Sequence, residues 1–138
     1  MDGIRIGLVS SVNAAAGKVR VAYTDSATGD SAEMPYFSFG GIYKMPQKGQ
    51  MVLCLHLSNG SSSGIVLGMF WNDVNKPPVS GQNDFWMDLA AGAMLKAVSG
   101  AVTLKGASIT LQAGNSITVD EIIEKLNDHE SRISNLGG

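Results

Sequence analysis

The sequence predicts a mainly β protein with three parts: a small N-terminal barrel, a short β-helical prism intertwined from three chains, and a C-terminal helix forming a three-helix coiled coil. Three observations support this fold class. Five short strand-like segments occupy residues 1–76, with no convincing helix among them. An apolar-Thr-apolar tripeptide then recurs every seven or eight residues up to residue 119. Residues 119–138 repeat apolar side chains at alternating spacings of three and four, as a coiled coil does.

The barrel prediction depends on apolar alternation between turn signals. The five segments are IRIGLVSSV, KVRVAYT, AEMPYFSF, MVLCLHL and IVLGMFW. Gly7 indicates a bulge or bend in the first, and Pro35 marks an edge or an end of the third. The fourth is apolar at almost every position, which predicts a strand buried on both faces. Closure into a barrel would leave such short strands without exposed edges.

A proline-containing spacer separates the barrel from the repeat. Pro77 and Pro78 are consecutive and favour an extended, stiff chain, so the linker is assigned to residues 77–86. The repeat follows at 87–119, with units that begin at Met87, Met94 and Val102 and later at Ile109 and Ile117. The first two units are degenerate.

The repeat is too short to fold as a solenoid within one chain. Each unit alternates apolar and polar side chains, so its apolar positions need a partner layer. Three chains sharing one prism would supply that layer, with each unit forming one face and turning a corner to the next. The predicted trimer core of this needle consists of Val102, Leu104, Ile109, Leu111 and Ile117.

The C-terminal helix has a start signal and a heptad seam. Thr118 and Glu121 form a capping-box pattern, and Ile117 with Ile122 form a hydrophobic staple. The predicted seam consists of Val119, Ile122, Leu126, His129, Ile133 and Leu136. An amphipathic helix docked on its own barrel is the alternative, because the tract spans fewer than three heptads.

Composition limits the possible functions. The 138 residues carry a net charge of −2 with no basic block, which argues against a general nucleic-acid binder. Charged residues make up only 16%, and the 17 glycines favour β structure whose surface is covered by other subunits. The single cysteine, Cys54, excludes an intrachain disulfide framework and is expected in the core. No leader or membrane-spanning segment is visible, so synthesis and folding in a cytoplasm are expected.

The candidate chemical sites are weak. His56 and Cys54 share a strand face but make only a pair, and a triad with the Ser61–Ser63 loop has no third member. His129 on the seam would form a three-histidine ring on a trimer axis; this ring is either a metal or anion site, or a polar layer that fixes register. No cofactor is expected. Clustered aromatics at Tyr36, Phe37, Phe39 and Tyr43 suit core packing, subunit contacts or base stacking.

Residues 4–78 resemble the N-terminal domain of phage baseplate assembly protein V, the central tail spike of contractile phages, type VI secretion systems and R-type bacteriocins. The matching residues are Gly7-Leu8-Val9, Gly17-Lys18-Val19-Arg20-Val21, Pro46 and Gly49 before the strand at 51–57, Gly64-Ile65-Val66-Leu67-Gly68, Asn72-Asp73 and Pro77-Pro78. The resemblance implies an OB-fold barrel at 1–76, which docks on the baseplate hub, and a trimeric β-helical needle after it.

The implied function is structural rather than enzymatic. The protein is expected to be a homotrimeric spike, made in the bacterial cytoplasm and built into a virion or tail-like particle, without nucleic acid or stable membrane insertion. The sequence leaves no room for the lysozyme domain of longer relatives, and it ends in a helix rather than a pointed tip. A tip protein or another baseplate protein is therefore a candidate partner at the C-terminus. The competing hypotheses are an OB-fold nucleic-acid-binding module with an oligomerising tail and a hydrolase with an unrecognised site.

Overall fold

The protein is mainly β with one C-terminal helix. The computed structural model describes residues 3–23, 29–57 and 64–137. The chain divides into two compact units, Met1–Pro77 and Pro78–Gly138.

The first unit is a curled five-stranded sheet. Its strands are β1 (Gly3–Asn13), β2 (Lys18–Ala22), β3 (Met34–Pro35), β4 (Met51–His56) and β5 (Gly64–Met69), with a 3-10 turn at Ala14–Ala16 between the first two. The spatial order is β3-β2-β1-β4-β5, and neighbouring strands are antiparallel. The third predicted segment forms only a two-residue strand.

The two edges of this sheet come together just after β3. Tyr36 forms a parallel bridge with Val66 of β5, and the Phe37 N–H donates to the Val66 carbonyl at 2.8 Å. Register shifts in the β1–β2 and β4–β5 pairs mark bulges, which increase the bend of a sheet. Gly7 lies at a close approach of β1 to β2: a Cβ at this position would overlap Val21 Cγ1 and lie 2.7 Å from the Ala22 carbonyl oxygen.

The concave side of the sheet holds the core. Its buried side chains are Val9, Val19, Val21, Tyr23, Met34, Val52, Cys54 and Val66. Cys54 is fully buried, as the sequence predicts. The prediction that the fourth segment is buried on both faces is wrong. Val52 and His56 point into the core, whereas on the convex side Met51 is exposed and Leu53 and Leu55 are half-buried.

The second unit contains two small antiparallel sheets and the helix. The elements are β6 (Phe85–Ala90), β7 (Ala93–Val98), β8 (Ala101–Lys105), β9 (Thr110–Gln112), β10 (Ser116–Thr118) and α1 (Val119–Gly137). β6, β7 and β8 form a three-stranded meander, and β9 pairs with β10. β6 begins at Phe85, so the strand starts two residues inside the predicted linker at 77–86.

Two-residue turns join the strands of the meander. Ala91 and Gly92 connect β6 to β7, and Ser99 and Gly100 connect β7 to β8; all four residues have positive φ. This conformation matches the twist of adjacent antiparallel strands, so it folds consecutive strands side by side. The prediction that each unit turns a corner to the next prism face is therefore wrong for the first three units, which lie in one sheet of one chain.

The second repeat unit is also shifted by one residue from the predicted phase. Leu95, not Met94, faces the same way as Met87 and Leu104. Met94 points to the other side, where it is buried. The shift arises because β6 carries an extra residue between Asp88 and Ala90, which moves the alternation before the turn.

No helix in the described part of the chain is long and apolar enough to cross a membrane.

Candidate functional site

One side of the β6–β8 meander is an apolar surface. Residues directly opposite each other in an antiparallel pair share a face, and the register pairs Met87 with Leu95 and Leu95 with Leu104. The members of this surface, which we call the needle face, are Phe85, Met87, Leu95, Ala97, Val102 and Leu104. Val102 is 72% exposed and Leu104 is 49% exposed. The needle face is therefore apolar and solvent-exposed in the single chain.

The opposite side of the same sheet mixes polar and apolar residues: Asp88, Lys96, Thr103 and Lys105 lie there together with Trp86, Val98 and the buried Met94. Trp86 pairs with Lys96 across the β6–β7 ladder, and Lys96 pairs with Thr103 across the β7–β8 ladder. The Trp86 indole N–H donates to Asp88 Oδ1 at 3.1 Å, and the Lys96 ammonium lies 5.9 Å from the Trp86 ring centroid. These groups suit contact with water. The needle face is therefore the more uniformly apolar of the two sides.

The β9–β10 hairpin continues the apolar pattern to the helix. Leu111 pairs directly with Ile117, and the Val119 N–H donates to the Ile109 carbonyl at 2.8 Å. Leu111 is 54% exposed, while Ile109 and Ile117 are half-buried. All five residues predicted for the trimer core, including Val102 and Leu104 of the needle face, therefore keep apolar surface in contact with solvent.

Helix α1 carries the predicted cap and the predicted seam. The Thr118 hydroxyl accepts a hydrogen bond from the Glu121 N–H at 3.1 Å, which satisfies one of the free N–H groups of the first turn. The seam residues Val119, Ile122, Leu126, His129, Ile133 and Leu136 lie on one side by their spacing. Leu126 is 62% exposed, Ile133 70% and Leu136 88%, and none of the residues of α1 is buried.

The structure places no further metal ligands beside His129 among the described residues. His129 is exposed on α1. Within residues 3–23, 29–57 and 64–137, no three His, Cys, Asp or Glu side chains are grouped so that they could hold a metal ion. One chain contributes one imidazole, so a metal or anion ring at His129 would require the other copies.

The barrel interior contains a polar cluster that sequence reasoning did not find. His56 is 5% exposed, and its Nε2 lies 2.5 Å from the hydroxyl of Tyr23. The guanidinium of Arg5 stacks over the Tyr23 ring at 3.9 Å. The sequence had paired His56 with Cys54, and both do face the core, but the ring nitrogen contacts Tyr23 instead. Only the shared inward phase of positions 23, 54 and 56 could have suggested this cluster.

Burial controls the ionisation of this cluster. Burial and the nearby Arg5 charge lower the pKa of His56, so the neutral imidazole is favoured. Burial raises the pKa of the Cys54 thiol, partly offset by its hydrogen bond with Tyr23 and by Arg5. Nδ1 of His56 is buried and has no hydrogen-bond partner among the described residues. A thiol kept protonated and an imidazole kept neutral indicate packing roles.

The convex side of the first unit is a second apolar surface. The outward positions of β1 and β4 pair as Ile4 with Leu55, Ile6 with Leu53 and Leu8 with Met51. With β5 they form what we call the barrel face, made of Ile4, Ile6, Leu8, Met51, Leu53, Leu55, Ile65 and Leu67. Ile4 is 70% exposed. None of its members is charged. The alternation in β1 is visible in the sequence, but the sequence does not show whether the apolar positions on one face of the strand are exposed or buried.

The aromatic segment after β3 lies mostly outside the core. Tyr36 packs against the core, and burial raises its pKa. Phe39 is 76% exposed and Tyr43 70% exposed. The Tyr43 hydroxyl donates to the Ala14 carbonyl at 3.3 Å, which ties the segment to the β1–β2 turn. The aromatic cluster therefore divides into one packing residue and an exposed group.

The other candidate residues are not brought together. The Ser61–Ser63 loop lies outside the described residues. The Nε2 atom of His56 contacts the Tyr23 hydroxyl, and its Nδ1 atom has no hydrogen-bond partner among the described residues. The side-chain amide of Asn72 organises the turn before the linker, since its Oδ1 accepts hydrogen bonds from the N–H groups of Val74 and Asn75.

Comparisons with known proteins do not identify the chain: no family model matches it, and no curated protein matches it.

Proposed function

We propose that this protein is the homotrimeric central spike of a contractile tail baseplate, in a phage or a phage-tail-like bacteriocin. The observation that carries the proposal is the needle face. A meander with one uniformly apolar side and one mixed side, followed by a helix with an exposed heptad seam, needs copies of itself to bury both surfaces. Both surfaces belong to the same unit of the chain.

The structure changes the expected form of the needle. Each chain contributes one three-stranded sheet, so three copies can form a three-sided prism with one sheet on each side. The needle faces then meet on the axis, and Trp86, Lys96 and Thr103 point to solvent. The β9–β10 hairpin and the three-helix coiled coil continue the same apolar axis. This arrangement replaces the winding of single strands around the prism.

The strand order of the first unit supports an OB-fold barrel. In the order β3-β2-β1-β4-β5 the outer strands are β3 and β5, and the Tyr36–Val66 bridge joins these two edges. A five-stranded, partly open barrel of this kind is the OB-fold arrangement. In the proposed spike the barrel docks on the hub at the end of the tail tube, and the C-terminal helices close the trimer or hold a tip protein.

The proposed mechanism is mechanical. Apolar side chains on the axis and antiparallel ladders on each side form a rigid rod, because the three chains can separate only if many of these contacts break at once. Sheath contraction drives the tube, and the spike leads it through the target envelope. No step requires a catalytic residue, a cofactor or a nucleic acid.

The experiment that tests the function is localisation in an assembled particle. Antibody raised against this chain should label tail-like particles from cells that express it, at a single position on the axis of the baseplate end. Label along the tube or sheath, or particles of full composition that lack the chain, would contradict the proposal.

Nucleic-acid binding is the competing function, and one observation favours it: Phe39 and Tyr43 are exposed on a segment that also carries Lys44. Exposed aromatics next to basic side chains can stack bases. The net charge of −2 works against it. Titration with single-stranded oligonucleotides at low and high salt separates the two, since only a nucleic-acid binder should show salt-dependent binding.

A further inference from the structure

Four ionisable side chains meet inside one end of the first unit. Arg5, Tyr23, Cys54 and His56 line the concave side of the sheet there, and we call them the interior cluster. Arg5 pairs directly with Cys54 across the β1–β4 ladder, so these two residues share that side. The Tyr23 ring contacts both the Arg5 guanidinium, at 3.9 Å, and the His56 ring, whose centroid lies 5.5 Å away.

The strand ends around His56 are built from glycines. His56 is the last residue of β4, and it pairs with Gly3, the first residue of β1, and with Gly64, the first residue of β5. A Cβ at Gly64 would lie 3.4 Å from His56 Nδ1 and 2.8 Å from Met34 Sδ, so the glycine leaves room for the imidazole. Neither glycine has a side chain that could hold the strand ends together. The contact with Tyr23 therefore ties this end of the sheet to the rest of the barrel.

A second proton on the His56 ring has no acceptor in this interior. A neutral imidazole has one N–H and one acceptor nitrogen, whereas an imidazolium donates from both nitrogens. Nε2 lies 2.5 Å from the Tyr23 hydroxyl, but the buried Nδ1 has no hydrogen-bond partner among the described residues. Leaving a buried N–H of a charged group unsatisfied is costly, so the protonated ring is expected to turn towards water.

The ionisable groups that face His56 also favour its neutral form. Arg5 of β1 is positively charged, while the phenol of Tyr23 and the thiol of Cys54 are uncharged in acid. Met34 of β3 and Gly64 of β5 carry no ionisable side chain. Burial and the Arg5 charge lower the pKa of His56, in agreement with this geometry.

We infer that the interior cluster is a pH-sensitive switch: protonation of His56 breaks its contact with Tyr23 and opens this end of the barrel, while the far end stays folded. Such local opening costs less than global unfolding because only three strand ends separate. The Ile4–Leu55 pair of the barrel face follows the Gly3–His56 pair on the same two strands, so the opening also disturbs that end of the barrel face. The inference concerns the first unit alone and does not depend on the proposed trimer.

Hydrogen exchange of the unaltered chain, read by mass spectrometry at about pH 7.5 and about pH 5, tests the switch. Rates are corrected for the intrinsic exchange rate at each pH. Amides within residues 3–7 and 53–57 should then lose protection by at least about tenfold at the lower pH. Amides within residues 10–13 and 18–20, at the far end of the β1–β2 pair, should keep theirs. Unchanged protection at 3–7 and 53–57, or an equal loss in all four segments, would overturn the inference.

His56→Gln separates the proton from the packing. Glutamine cannot be protonated but keeps an amide that can hydrogen-bond Tyr23, so the acid-induced loss of protection should disappear. His129→Gln is the matched control, because His129 is the other histidine of the chain and is exposed on α1. This control should behave as the unaltered chain does. An acid-induced loss in His56→Gln as large as in the unaltered chain would contradict the switch.

The Cys54 thiol provides an independent measurement if His56→Gln folds poorly. Cys54 is the only cysteine of the chain and is fully buried, so its reaction with dithiodipyridine reports opening of the interior. Dividing its rate in the folded chain by its rate in the unfolded chain at the same pH removes the thiol's own pH dependence. This ratio should rise at least about tenfold between about pH 7.5 and about pH 5. A constant ratio would overturn the switch and leave the proposed spike intact.

Discussion

Leu95 of β7 pairs directly with Leu104 of β8, so the two leucines lie side by side on one face of the meander. Thr103, one residue before Leu104, pairs with Lys96 and points to the other face. Neighbouring positions of the same short strand therefore separate the needle face from the mixed side, and this gives a matched pair of variants.

Leu104→Asp should weaken trimerisation, and Thr103→Asp should not. The first substitution places a carboxylate on the needle face, which the proposed trimer buries. The loss of burial and the cost of desolvating the charge should weaken association by at least about tenfold per copy. Sedimentation equilibrium over a range of concentrations measures the effect. If the two variants dissociate equally, the needle face is not the interface.

Charges on the helix seam should also loosen the trimer. Leu126→Asp combined with Ile133→Asp introduces six like charges near the axis, two from each copy, and should abolish much of the helical signal in circular dichroism. A helix of this length is marginal unless its apolar side is packed. Asn127→Asp combined with Ser134→Asp adds the same charge one position away from the seam. Equal losses in both double variants would show that α1 is not a coiled coil.

A substitution in the first turn of the meander should stabilise the protein. Ala91 has φ of 51°, a left-handed conformation that costs alanine about 1 kcal/mol. Ala91→Asn should raise the free energy of unfolding by about 0.5–1 kcal/mol, because asparagine followed by glycine favours this turn. Ala91→Val should lower it. Chemical denaturation at a fixed protein concentration checks both, and the opposite order would contradict the turn.

Gly7 should be hard to replace. A Cβ there would overlap Val21 Cγ1 and lie 2.7 Å from the Ala22 carbonyl oxygen, and the backbone oxygen cannot move away easily. Gly7→Ala should destabilise the barrel by about 2 kcal/mol or more. Gly114→Ala is the control, since nothing lies within 4 Å of its Cβ position. Similar losses of thermal stability in both variants would argue against the tight curl of the sheet.

The stability of the barrel should fall with acid because of His56. Burial and Arg5 place the pKa of folded His56 below its ordinary value of 6.5, so the unfolded chain binds the proton more readily. Below pH 6.5 the unfolded chain takes up the proton before the folded chain does, so the stability falls as the pH falls below 6.5. His56→Gln should flatten the stability profile in that window, whereas His129→Gln leaves the Tyr23–His56 contact untouched. An unchanged slope in His56→Gln would contradict the assignment.

The alternation of apolar and polar side chains along the sequence predicted where most strands lie, because a strand points successive side chains to opposite faces. Val19 and Val21 of β2, and Val52 and Cys54 of β4, lie two residues apart within their strands and fill the core. Thr118 caps helix α1, because its hydroxyl accepts a hydrogen bond from the Glu121 N–H as the capping-box pattern predicts. The same reasoning failed for the convex side of β4, because a two-sided apolar strand has the same pattern whether its second face is covered by its own chain or left exposed.

The turns of the repeat were the other failure. Small residues such as Ala91-Gly92 and Ser99-Gly100 fit either a prism corner or a hairpin. In the structure both pairs have positive φ, which is the conformation of a two-residue hairpin turn. The extra residue in β6 shifted the phase of the second unit, so Leu95 replaced Met94 on the needle face. The Tyr23–His56 contact joins residues that are distant along the chain, and only the curled sheet brings them together.

The mass of the protein in solution tests the central claim most directly. Three chains of 14.4 kDa give 43.2 kDa. Multi-angle light scattering of the purified full chain at micromolar concentration should show a single species of that mass. A stable monomer of 14.4 kDa with the folded circular dichroism spectrum would contradict the shared prism and the spike built on it.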